Sequence, residues 1–113
     1  FISDNGGKPT SGADNCGSKT LCYRGSKASN WEGGMRVPVI FKGPNIPKNV
    51  TVETIFHVTD MLPTLQGLLD DFWGINTSPI PNLYGIDQSA LILGKKGNKT
   101  LRTQVLAHFD PFQ

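Results

Sequence analysis

The chain has 113 residues, 37% of them apolar, with 13 glycines, 8 prolines and a net charge of +2. This length suits one domain or part of one, and the low apolar share with so much Gly and Pro predicts a loop-rich chain. The charge is small and spread along the sequence, which leaves no basic stripe for nucleic acid. No apolar run approaches the length of a membrane span.

Phe1 and Ile2 are strand formers, and Ser3-Asp4-Asn5-Gly6-Gly7 halts them at once. With no initiator Met and no signal peptide, a chain that starts inside a strand reads as an internal piece of something longer. Two readings of the strand tip stand side by side. Asn5-Gly6 is a strong hairpin signal. The carboxylate of Asp4 and the amide of Asn5 also suit a hard cation.

From Asp4 to Asn30 the sequence has no apolar periodicity and reads as one long loop. It holds both cysteines, Cys16 and Cys22, in "DNCGSKTLCYRG". Their spacing is too wide for a C-x-x-C redox or zinc motif, so a local disulfide is expected, contributing roughly 2 kcal/mol through chain entropy. Three N-glycosylation acceptors follow along the chain: Asn49 in "NVT", Asn76 in "NTS" and Asn98 in "NKT". Together with the cysteine pair they point to an oxidising, secretory-route compartment.

"VPVIFKGP", from Val37 to Pro44, reads as a short buried strand with Pro38 at its start. "HVTDMLPTLQGLLDD" is the clearest helix, with Met61, Leu62, Leu65, Leu68 and Leu69 forming one apolar face. Asp60 is its expected N-cap. Pro63 then falls at the third helical position, where a missing N–H leaves no helical bond unmade. "GIDQSALILGKKG" predicts a short helix that Asp87 can cap and Gly94 can end. "QVLAHF", Gln104 to Phe109, reads as a last strand. Strands separated by helices and long connections indicate an α/β fold, a sheet covered by helices. The few strands here cannot complete such a sheet, in keeping with a fragment.

In open α/β sheets, ligands bind beyond the carboxyl ends of the strands. Asp4 and Asn5 sit at such an end, and the loop after them carries Arg24 and Lys27. An oxygen-ligated metal would neutralise charge on a bound oxyanion, and a lysine would supply a point charge to its other oxygens. His57 and His108 are read as structural, since neither sits on a catalytic motif.

"DNGG", "RGSK", "WEGGMR" and "TDMLPTL", in this order and spacing, resemble the type I sulfatases, with the nearest likeness to the arylsulfatase B branch of the alkaline phosphatase superfamily. The resemblance covers nearly the whole chain, so that residues 1–113 are expected to be part of a catalytic domain. The fold it implies is a mixed, largely parallel sheet flanked by helices, of the alkaline phosphatase-like sulfatase kind. It implies calcium ligation by Asp4 and Asn5 and a sulfate contact by Lys27. Trp31, Glu32 and Arg36 become supporting residues in a buried turn, with Glu32 and Arg36 an ordinary ion pair.

The family's nucleophile is a formylglycine made from the Cys or Ser of C/S-x-P-S/A-R, and neither Cys16 nor Cys22 lies in such a motif. The implied activity is calcium-dependent hydrolysis of a sugar or aryl sulfate ester, by a lysosomal or extracellular parent enzyme whose nucleophile lies outside this chain. Two alternatives stay open. One is a non-catalytic pseudo-sulfatase; the other is a small secreted, disulfide-bonded binding module.

Overall fold

The computed structural model of the chain describes residues 1–8, 23–78, 80–95 and 102–106. Cys16, Cys22, Lys19, Asn98 and His108 lie outside the described residues, and the expected disulfide lies there with them. The chain divides into two compact units, Phe1–Ile40 with Leu106–Gln113, and Phe41–Val105.

In the first unit the expected strands shrink to a single antiparallel β-bridge, Ile2 with Val39. Phe1 and Ile40 exchange backbone hydrogen bonds, both at 2.8 Å, and the Ser3 N–H reaches the Pro38 carbonyl at 3.3 Å. Among the described residues there is no sheet, and this one pairing is antiparallel rather than parallel. Proline explains part of the difference. Pro38 has no N–H to donate, so the ladder cannot continue through it. Helix α1 is a single turn, Glu32–Met35. Of the expected buried turn only Gly33 is buried, and Trp31 remains 50% exposed.

The second unit is built on helix α2, Met61–Trp73, preceded by a 3₁₀ turn at Val58–Asp60. Asp60 occupies the N-cap position and Pro63 the third helical position, as the pattern predicts. Gly74 ends the helix in the left-handed region at φ 65°. Helix α3, Ser89–Ile92, has Gln88 and not the expected Asp87 at its N-cap position. The Asp87 carboxylate accepts from the Ser89 N–H at 2.7 Å. Gly94 follows at φ 71° and donates its N–H to the Leu91 carbonyl.

The buried face of α2 differs from the expected one. Leu62, Leu65 and Leu69 are exposed, and Thr64 is the helix's buried residue. A Cβ at Gly67 would collide with the Ser89 hydroxyl and the Asp87 carboxylate, so α2 meets α3 along its Thr64–Gly67 side. Close approach of two backbones explains the choice: a small face lets polar groups on both sides pair, which a leucine face would prevent. Phe41 and Phe56 add an edge-to-face contact at 5.7 Å. No helix among the described residues is long and apolar enough to cross a membrane.

Candidate functional site

The candidate site is a junction of three loops in the first unit. The "DNGG" segment crosses α1, and the Gly6 N–H donates to the Gly34 carbonyl at 3.0 Å. The same segment meets the Lys27 loop, where the Lys27 N–H donates to the Gly7 carbonyl at 2.8 Å. The third side closes when the Gly33 N–H donates to the Arg24 carbonyl at 2.8 Å. A Cβ on Gly6 would run into the Gly33 carbonyl oxygen, and a Cβ on Gly33 into the Gly25 carbonyl. Glycine is therefore required at both positions by the closeness of the crossing.

Asp4 is exposed and Asn5 half-buried at the edge of this junction. The Ser3 hydroxyl donates to the Asn5 backbone carbonyl at 2.9 Å. Neither Asn5 nor Gly6 has a positive φ. The type I′ hairpin turn that Asn-Gly would make is therefore absent. The segment runs on across α1 instead of folding back.

Lys27 is exposed on a tight turn closed by the Ser29 N–H donating to the Ser26 carbonyl at 3.0 Å. The Ser29 hydroxyl donates to the Ser26 carbonyl at 2.7 Å and accepts from the Ser26 N–H at 3.0 Å. Ala28 is held at φ 70°, a left-handed conformation that costs an alanine about 1–2 kcal/mol. Around this turn, the Arg24 guanidinium stacks on Trp31 at 3.6 Å, and Arg36 lies over Tyr23 at 4.8 Å. Arg36 also pairs with Glu32 at 3.2 Å, an exposed one-turn ion pair of the ordinary kind expected.

The second unit holds a buried polar network that sequence reasoning missed. The Asp60 carboxylate does not cap α2. It accepts from the His57 N–H at 3.0 Å, the Ile86 N–H at 2.8 Å, Gln88 Nε2 at 2.9 Å and the Arg102 guanidinium. The helical backbone of Asp60, φ −76° and ψ −15°, continues the 3₁₀ turn and takes the side chain away from the first turn of α2. Burial pushes its carboxyl up, but Arg102 and the other donors outweigh that and pull it down to about 2. The guanidinium of Arg102 is raised by the same partner. His57 closes the 3₁₀ turn from the other side, its Nδ1 accepting from the Thr59 N–H at 3.4 Å. That is a structural role, as expected for this histidine. Arg102 and Gln88 stand in "LRTQ" and "IDQS", which carry no periodic or motif signal.

Among the described residues no group of three or more His, Cys, Asp or Glu side chains could hold a metal ion. The Asp4–Asn5 pair would be part of a ligand shell and not all of one.

Comparison with known proteins follows the motifs. Over 71 residues, 62% of the chain, it is 39% identical to arylsulfatase J of Mus musculus and 34% identical to arylsulfatase G of Rattus norvegicus. Over 70 residues it is 39% identical to arylsulfatase H of Homo sapiens. These stretches amount to 11%, 13% and 12% of the relatives' own lengths, so the chain spans a small part of the curated proteins it matches. No family model matches the chain. No solved structure matches it. The relatives bear out the sulfatase resemblance that the motifs carry.

Proposed function

We propose that this chain is the C-terminal part of the catalytic domain of a calcium-dependent sulfatase, with an alkaline phosphatase-like α/β fold. The observation that carries the reading is the junction in the first unit. Backbone bonds join the segment bearing Asp4 and Asn5 to the turn bearing Lys27, in a chain whose relatives are arylsulfatases. The parent reaction is hydrolysis of a sugar or aryl sulfate ester in a lysosomal or extracellular setting. Nothing in the structure favours a pseudo-sulfatase or a free-standing binding module.

The residues at the strand tip fit calcium. A carboxylate and an amide oxygen are hard donors, and calcium takes roughly six to eight oxygens. Asp4 and Asn5 would supply part of that set, and the parent protein the rest. When bound, calcium would draw charge from the sulfate oxygens. The formylglycine nucleophile is expected outside this chain, in the same parent.

Lys27 has its own part in this reading. Its ammonium stabilises negative charge on the sulfate oxygens as the ester bond breaks. The strained Ala28 beside it fixes the turn, in keeping with strain stored where a side chain must be held. Arg24 is engaged with Trp31 and steadies the loop rather than touching the ester.

The test is Asp4→Ala in the full-length parent protein, read by calcium titration and by turnover of an aryl sulfate. Both are expected to fall together. Calcium affinity equal to that of the parent would refute the assignment of Asp4.

A further inference from the structure

Ser29 sits two residues beyond Lys27, and its hydroxyl holds both backbone polar groups of Ser26. It donates to the Ser26 carbonyl at 2.7 Å and accepts from the Ser26 N–H at 3.0 Å. The Ser29 N–H donates to the same carbonyl at 3.0 Å. Lys27 is therefore bracketed. The residue before it is pinned by this side chain, and its own N–H is tied to the Gly7 carbonyl at 2.8 Å. Lys27 and Ala28 are exposed, whereas Ser26 and Ser29 are half-buried.

The hydroxyl itself has little room to move. A Cβ on Gly25 would lie 2.4 Å from it, and a Cβ on Gly34, in α1, 3.1 Å from it. It is wedged between the start of the loop and α1. Its bonds also account for the conformation of Ala28. An alanine at φ 70° relaxes to the right-handed region unless its surroundings hold it. The bonds that close the turn over residues 26–29 supply that hold. A lysine stem is long and flexible, so the fold aims its ammonium only through the backbone direction at Lys27. With the hydroxyl gone, one backbone bond is left between Ser29 and Ser26, and the Ser26 N–H loses its acceptor.

We propose that Ser29 is a positioning residue for Lys27: its hydroxyl locks the turn from which the ammonium reaches the sulfate oxygens, and it does not itself touch the ester. The proposal rests on the sulfatase reading of the junction. It gives Ser29 an effect on the reaction that exists only while Lys27 is present. A misdirected charge stabilises the breaking ester less while substrate binding is largely kept. The loss therefore falls on kcat more than on KM.

The test is turnover of an aryl sulfate by the full-length parent protein carrying Ser29→Ala, Lys27→Ala or both, with Asn30→Ala, an exposed neighbour outside these bonds, as control. Ser29→Ala should lower kcat about tenfold and change KM less than about twofold. In the Lys27→Ala background it should add no further loss. Asn30→Ala should match the parent. Amide hydrogen exchange at Ser26 and Lys27 should accelerate in Ser29→Ala; unchanged exchange at both would overturn the proposal whatever the turnover. Lost turnover in Lys27→Ala with full turnover in Ser29→Ala would overturn the role of Ser29 and leave the sulfatase reading standing. A Ser29→Ala loss of equal size in both backgrounds would do the same, since it marks general damage to the fold. Full turnover in Lys27→Ala would overturn the sulfatase reading and the proposal with it.

Discussion

Asp60 and Arg102, 42 residues apart, form a two-pronged ion pair closed from solvent, with Nε to Oδ2 at 2.8 Å and Nη2 to Oδ1 at 2.5 Å. Asp60 is 0% exposed and Arg102 3%. The pair ties the segment after α3 to the turn that starts α2, and Gln88 with the Ile86 and His57 N–H groups completes the carboxylate's shell. Removing one partner leaves the other charge buried and uncompensated, which costs about 3–5 kcal/mol. Asp60→Asn and Arg102→Met should each lower the unfolding free energy by that order, read by chemical denaturation. The double variant should lose clearly less than the sum, because neither charge is then left alone.

The same carboxylate sets an acid limit on the second unit. Its pKa is lowered from 3.8 to about 2, so its contribution to stability is full above the unfolded value. The contribution fades as pH falls through about 2. A stability profile between about pH 5 and about pH 2 should show this loss in the parent chain. Asp60→Asn, with no carboxyl at that position, should lack that component of the profile.

How much of this unit was legible in the sequence depends on the range of the interaction. The place where α2 starts, Pro63 in the third position and Gly94 at the end of α3 follow from local chemistry within a few residues, whereas the capping expected of Asp60 is absent and Asp87 stands one residue before the cap of α3. The partner of Asp60 does not follow from local chemistry, because Arg102 is a lone arginine in a segment with no pattern. The face that α2 buries was misread for a related reason. Periodicity marks the leucine stripe, but burial along Thr64 and Gly67 is decided by what α3 offers opposite, namely the Gln88 N–H and the Ser89 hydroxyl. In the first unit the motif glycines were legible through the sulfatase resemblance alone. Their reason, three backbones crossing at contact distance, is a long-range fact that composition does not carry.

That misreading yields a direct contrast. The Thr64 hydroxyl accepts from the Gln88 N–H at 3.1 Å in a buried setting. Thr64→Val keeps the shape and removes the acceptor, which should cost about 1–3 kcal/mol. Leu62→Gln, on the exposed side of the same helix, should stay within about 0.5 kcal/mol in the isolated chain. Equilibrium unfolding of the two variants decides between the two faces.

At the loop junction the decisive residue is Gly6. Gly6→Ala drives a methyl into the Gly33 carbonyl, and the crossing has to open. The cost should be about 1–3 kcal/mol, as for other overpacked positions. Amide hydrogen exchange is the specific readout. Exchange at the Gly6 and Lys27 N–H groups should accelerate together, since both bonds belong to one junction, whereas the Asp60 network should keep its protection.

The sulfatase assignment of the junction turns on Lys27. A fixed ammonium at the sulfate oxygens commonly contributes on the order of a hundredfold in rate. The measurement is the turnover number of full-length parent enzyme for an aryl sulfate, comparing Lys27→Ala with Lys19→Ala, where Lys19 is a lysine between Cys16 and Cys22 that matches none of the sulfatase motifs. Lys27→Ala should lower turnover about a hundredfold while calcium binding and folding persist, and Lys27→Arg should recover only part of the loss, since a planar guanidinium does not reproduce a compact point charge. Lys19→Ala should leave turnover nearly unchanged. Equal and small effects from both substitutions would make Lys27 a solvated surface lysine and would contradict the assignment of this junction as a sulfatase site.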